Sequence, residues 1–224
     1  MLKPLTFAAT FLIFPNLKCM FHLSTVDPET YQTLKSVFAI PAMKKDFALA
    51  GGTSLSLQLG HRKSIDLDIF TSKAFDVRQV ELIISAEPGL KLELTNSNRN
   101  MLFSYINSVK CDFVFEPHRL INPYFQNDGV NYFSVPDIAA MKMHTICGRG
   151  KRKDFFDLYV LIENFGWNQL LDWFKCKYDD NQLYFLWRSI RYFDDADEDV
   201  AITGLPPYTK TWEEIKQYIE GRCV

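Results

Sequence analysis

Ala50-Gly51-Gly52-Thr53-Ser54-Leu55-Ser56-Leu57-Gln58-Leu59-Gly60-His61-Arg62-Lys63-Ser64-Ile65-Asp66-Leu67-Asp68-Ile69-Phe70 is the stretch whose reading decides the fold. Residues 46–50 before the glycines have the length and apolarity of a short buried strand. A short helix over about 53–60 closes at Gly60, and a second strand follows over 65–70. In a strand, residues i and i+2 share a face. Ile65, Leu67 and Ile69 are therefore expected to face the core, with Asp66 and Asp68 projecting together from the other side. Two carboxylates held that close repel each other unless a cation lies between them. Oxygen ligands of this kind suit Mg²⁺, which keeps several waters and completes its shell with substrate phosphates. Alone, Asp-x-Asp also suits a solvated strand face.

The glycines narrow that choice. In a strand, Gly-Gly-Thr, helix arrangement the backbone can approach an anion and aim the helix N–H groups at it. Thr53 can cap the helix and offer its hydroxyl to a phosphate. A tight strand-to-helix turn would use the same glycines, and with no Gly-Lys-Ser/Thr this is not a P-loop. The informative feature is the spacing: a phosphate cradle, one short helix, then a carboxylate-bearing strand.

Working outward, Asp27 with Pro28 reads as a helix start whose apolar face is Tyr31, Leu34 and Phe38. Asp76 caps another helix, with Val77, Val80, Ile83 and Ile84 as its apolar residues. Strand-like runs follow at 90–95, 101–106 and 109–115, the last two joined at Asn107-Ser108 as in a hairpin. A loop rich in Asn, Pro and Gly then gives way to helices: one from Asp137 behind Pro136, one near Arg152, then 167–176 and 181–192. The last has a Thr211-x-x-Glu214 capping box and a stop at Gly221. The expected fold class is α+β, a lobe with a mixed sheet over 20–116, a connecting loop over 117–136 and a helical lobe over 137–224. Residues 1–19, with apolar Leu5 to Phe14 behind Lys3, read as a leader or extension too short to span a bilayer.

Composition excludes little but sets limits. The chain of 224 residues is 47% hydrophobic and 23% charged, with 19 Phe and 10 Tyr, enough for a substantial core. Its net charge of −2 lacks the basic excess of an extended nucleic-acid binder. The one dense positive cluster is Arg149, Lys151, Arg152 and Lys153, which suits RNA phosphates or pairing with Asp154 and Asp157. Five dispersed cysteines without metal spacing suggest reduced thiols in a cytoplasmic protein, and no membrane partner is expected. Trp167, Trp173 and Phe174 recur at helical spacing, as core residues do.

The run 51–70 closely resembles the first motif of the AbiEii/AbiGii toxin family of polymerase-β-like nucleotidyltransferases, roughly GGT-(A/S)-L-x-L-x-x-GHR-x-S-x-D-(L/I)-D-x-F, and meets every specified position. Asp137 to Lys142, followed by Arg149-Gly150-Lys151-Arg152-Lys153-Asp154-Phe155-Phe156-Asp157, resembles the family's later motifs, a helix lysine and then R-x-x-x-KD-x-x-D. The resemblance implies that Gly51, Gly52 and Thr53 hold an NTP triphosphate with Ser64 close by. It implies that Asp66 and Asp68 bind catalytic Mg²⁺ and that Lys142 neutralises the leaving pyrophosphate. Asp154 would lie near Lys142 or the metal, with Asp157 one helical turn beyond. Such enzymes add a third carboxylate from a neighbouring strand, and Asp112 has the setting for a ligand or base; Lys110, on its face, is equally its ion-pair partner. His61 and Arg62 belong to the motif, as a helix cap or salt-bridge partners. The biological setting implied is the toxin of a type IV toxin–antitoxin or phage-defence system, with tRNA as acceptor and a cognate antitoxin as partner. Transfer to a protein or small molecule, or nucleotide binding without turnover, are the other readings.

Overall fold

The computed structural model describes residues 21–223; the expected leader, 1–19, lies outside them. Asp27 accepts a 2.8 Å hydrogen bond from the Thr30 N–H and opens α1 (Pro28–Ala39), which buries Leu34, Val37 and Phe38. A second short helix, α2 (Pro41–Asp46), leads into β1 (Ala48–Leu49), α3 (Gly51–Leu59) and β2 (Leu67–Thr71). Asp76 caps α4 (Val77–Ser85) through the N–H groups of Arg78 and Gln79. A meander of β3 (Leu92–Asn98), β4 (Met101–Ile106) and β5 (Val109–Phe115) follows. Its β4–β5 turn is the expected hairpin, with Asn107 and Ser108 both at positive φ.

The stretch 117–136 carries structure that its composition did not suggest. It holds a hairpin of β6 (Phe125–Asn127) and β7 (Val130–Tyr132), turned at Asp128-Gly129, both at positive φ. Asp-Gly is a hairpin signal, but three-residue strands are too short to show period-two alternation. β7 pairs in parallel with β1 and completes a mixed seven-stranded sheet of order β3-β4-β5-β2-β1-β7-β6.

Helices close the chain: α5 (Val135–Gly148), α6 (Arg152–Phe165), α7 (Trp167–Lys177), α8 (Asn181–Ser189), the one-turn α9 (Asp194–Asp197) and α10 (Trp212–Arg222). α5 begins at Val135, two residues before the expected Asp137, with Ser134 as its cap and Pro136 in its first turn. Asp137 sits in its first turn and accepts the Ile121 and Asn122 N–H groups at 2.8 and 3.1 Å. The Thr211–Glu214 capping box opens α10 as expected, while the helix runs through Gly221 to Arg222.

One sheet face, with Leu67, Ile69, Leu102, Ile106, Cys111 and Phe113, packs against α1 and α4 in one core. The opposite face supports a second core built by α5 to α8 and α10 around Phe155, Phe156, Leu158, Tyr159 and Phe174. Trp167 and Phe174 belong to that core and Trp173 packs against it. Ile65 departs from its expected place: it precedes β2 and is 67% exposed.

Candidate active site

The two glycines lie where other side chains need the room. Gly51 has φ +64°, and a Cβ there would stand 2.2 Å from Asp68 Oδ2. A Cβ on Gly52 would stand 2.4 Å from Arg62 Nη2. Because α3 starts at Gly51 itself, Thr53 is inside the helix and not its cap. Its buried hydroxyl donates to the Asp66 carbonyl and lies 2.8 Å from the Ser64 hydroxyl, tying the helix to the approach of β2. No side chain caps α3, so the N–H groups of its first turn have no intrahelical acceptor, the arrangement by which helix N-termini bind anions.

Across from this turn, β2 and β5 run parallel with Asp68 opposite Asp112, so both carboxylates share one face. Asp112 pairs with Lys110 through Oδ2 at 3.0 Å, while its buried Oδ1 has no partner among the described residues. Both alternatives read for Asp112 therefore coexist on one side chain. Burial pushes the Asp68 carboxyl above its ordinary range; Lys142 and Lys153 oppose that rise, and Asp112 and Asp66 add to it. Asp66 sits just ahead of β2, its Oδ2 3.5 Å from Lys153 Nζ. Among the described residues no three His, Cys, Asp or Glu side chains are already grouped around a metal position. The donor set still suits Mg²⁺: hard carboxylate oxygens, one of them orphaned and buried.

Beneath the carboxylates lies a buried charge network. Arg62 donates from Nε to Asp157 Oδ1 at 2.6 Å and from Nη2 to Oδ2 at 2.9 Å. His61 Nε2 is 2.8 Å from the same Oδ1. Lys142 Nζ lies 2.8 Å from both Asp154 Oδ1 and Asp157 Oδ2. Burial opposes ionisation of Asp157, but Arg62, Lys142 and the hydrogen bonds from Arg62 and His61 hold its carboxyl well below the usual range. Burial lowers His61, with Asp157 only partly compensating, so the imidazole is neutral near pH 7, donating from Nε2 and leaving Nδ1 without a partner. His61 and Arg62 are thus salt-bridge and hydrogen-bond partners. The helix ends on Gly60 itself, at φ +70°.

The basic cluster does not form one patch. Arg152 is drawn to α9 and the loop after it, its N–H on Asp199 at 2.8 Å and its guanidinium on the Ala196 and Asp197 carbonyls. Lys151 is the exposed N-cap residue of α6, its backbone N–H donating to Asp154 Oδ2 at 3.4 Å, and Arg149 is exposed. Lys153 turns inward to Asp66, a cation beside the acidic pair that cluster composition alone did not single out; its place next to Asp154 was the available signal.

A mixed sheet with paired carboxylates facing a glycine turn is the nucleotidyltransferase fold. MenT4, a nucleotidyltransferase toxin of Mycobacterium tuberculosis, shares it at a TM-score of 0.57 and 14% identity, covering 88% of this chain and 84% of that one. JHP933 of Helicobacter pylori does so at 0.54 and 16%, covering 88% and 91%. In sequence, the Aquifex aeolicus protein aq_aa25 is 32% identical over 200 residues, 87% of this chain and 94% of that one. Residues 32–220 match the model of the nucleotidyl transferase AbiEii toxin of type IV toxin–antitoxin systems. The chain belongs to that family and is a nucleotidyltransferase. Among the described residues no helix is long and apolar enough to cross a membrane.

Proposed function

We propose that the protein transfers a nucleoside monophosphate from an NTP to an acceptor hydroxyl, as the toxin of a type IV system with an RNA end, tRNA foremost, as acceptor. The observation that carries the chemistry is the register pair Asp68 and Asp112, with the orphaned Asp112 Oδ1 on the face that the Gly51 turn closes against. Asp66, Asp68 and Asp112 would hold Mg²⁺, which when bound offsets phosphate charge and orients the α-phosphate.

The protein's own groups do the rest. The uncapped first turn of α3, Gly51 to Thr53, receives triphosphate oxygens, with Ser64 beside it. Lys142 is near enough to Asp68 to oppose the rise of its carboxyl and supplies positive charge from the helical lobe, with Lys153 as the more exposed cation. The acceptor oxygen attacks the α-phosphorus and forms a P–O bond. The bond to the bridging oxygen of the β-phosphate breaks, and pyrophosphate leaves with that electron pair. The acceptor proton passes to Asp112 Oδ1. The enzyme would act in the cytoplasm, where NTPs and tRNA are, opposed there by a cognate antitoxin.

Incubation with Mg²⁺, each α-labelled NTP and total tRNA tests this. Label on RNA that is absent for Asp66→Ala and Asp68→Ala supports it. Label on protein would move the acceptor and keep the chemistry. NTP binding with no transfer to RNA, protein or small molecules would leave a nucleotide-binding module as the better account.

A further inference from the structure

On β4 burial alternates strictly: Leu102, Ser104 and Ile106 are buried toward α4, while Met101, Phe103 and Tyr105 point to the other side. That side is the catalytic one. Phe103 is the register partner of Asp112, and Tyr105 that of Lys110. Directly opposed residues of an antiparallel pair have Cβ atoms about 5 Å apart, so the Phe103 ring stands beside the carboxylate with the orphaned oxygen. Yet neither Phe103 nor Tyr105 packs into either hydrophobic core. Tyr105 is 40% exposed, with no hydrogen bond for its hydroxyl among the described residues.

Two unpacked aromatic rings at i and i+2 of one strand lie about 7 Å apart. This is how a sheet surface presents rings to successive unstacked bases. The cations around them are Arg99, in the β3–β4 turn, and Lys110, paired with Asp112 at 3.0 Å but 42% exposed, while Glu93, across from Tyr105 on β3, is paired with Lys91 at 2.8 Å.

We propose that Phe103 and Tyr105 form the acceptor platform: the last nucleotides of a single-stranded RNA end stack on the two rings, Lys110 meets their backbone phosphate, and the terminal hydroxyl is thereby set beside Asp112. This rests on the nucleotidyl-transfer reading above and adds to it the face from which the acceptor enters and the requirement for an unpaired end. A protein acceptor has no use for two base-spaced rings, and the terminal base of a blunt duplex end is held in its pair and cannot stack on them.

The test uses the full chain and an RNA hairpin with a four-nucleotide single-stranded 3′ end carrying 2-aminopurine, whose fluorescence reports stacking without turnover. Phe103→Leu and Tyr105→Leu are expected to weaken RNA binding, and to raise the RNA KM in transfer, by about tenfold or more each, the size of one stacked base. The KM for NTP should not move, and Phe103→Trp should keep RNA binding near that of the unaltered protein. The blunt-ended hairpin should bind and react at least about tenfold more weakly. Unchanged RNA binding in the double Leu variant, with its melting temperature intact, overturns the proposal, as does equal use of the blunt hairpin or label found only on protein. Ring-dependent binding of the single-stranded end without any transfer would uphold the platform and sink the transfer chemistry, so the two readings fail separately.

Discussion

Arg62 and Asp157 meet through two parallel hydrogen bonds, at 2.6 and 2.9 Å, between residues 95 positions apart in sequence and almost wholly buried. The pair fastens the loop between α3 and β2 to the middle of α6. The same carboxylate also receives Lys142 and His61, so one side chain ties the strand that carries Asp68 to the helical lobe. A buried guanidinium–carboxylate fork of this kind is useful for geometry more than for net stability.

Breaking one partner should therefore be costly. Asp157→Asn leaves Arg62 and Lys142 buried with too little negative charge and is expected to lower unfolding free energy by about 3–5 kcal/mol. Arg62→Lys retains the charge but not the planar fork and should also destabilise. Urea unfolding of the three proteins at pH 7.5 is the measurement. A loss below about 1 kcal/mol for Asp157→Asn would show that the network is not holding the lobes.

Protonation of His61 gives a pH signature. Its folded value lies below the free imidazole's, about 6.5, because burial disfavours the cation. Its contribution to stability is then complete above that free value and is given up as pH falls from there down through the folded value. Asp157, held well below the carboxylate range, keeps its contribution throughout this window. Unfolding free energy measured from pH 8 to pH 5 should decline below about 6.5 in the wild-type protein and decline less steeply in His61→Asn. Parallel curves would refute the assignment.

Gly51→Ala should lower activity steeply for two separable reasons. Its φ of +64° costs a non-glycine residue about 1–2 kcal/mol, and the new methyl group would displace the Asp68 carboxylate. Initial rates are expected to fall at least about a hundredfold, as displacements of about 1 Å do, with a modest drop in melting temperature. Retention of more than a tenth of the rate would mean that the close approach to Asp68 is not required.

Neutralising Asp68 should separate metal binding from folding. Asp68→Asn removes a charge crowded by Asp66 and Asp112, so without metal the variant should melt at or above the wild-type temperature. Mg²⁺ with NTP should raise the wild-type melting temperature and leave the variant unmoved, with transfer reduced about a thousandfold, equivalent to several kcal/mol of lost charge stabilisation. An equal ligand-induced shift in both proteins would place the metal elsewhere.

Much of this was legible in the primary structure. Periodicity, Asp27 and Asp76 as caps, the Thr211–Glu214 box and the Asn107-Ser108 hairpin all follow from local chemistry, as does the placing of Gly51, Asp66 and Asp68 within one short segment. Only the tertiary structure could decide what depends on elements distant in sequence. That β5 lies beside β2 and brings Asp112 opposite Asp68, that 125–132 supplies two more strands, and that Lys142 is held by Asp154 and Asp157 are outcomes of packing. The same holds for Thr53, which local pattern cast as a cap and the fold uses as a tie between α3 and Asp66. Local sequence sets which conformations and charges each segment offers; which of those charges meet, and which oxygen is left over, is set by the burial that brings remote segments together.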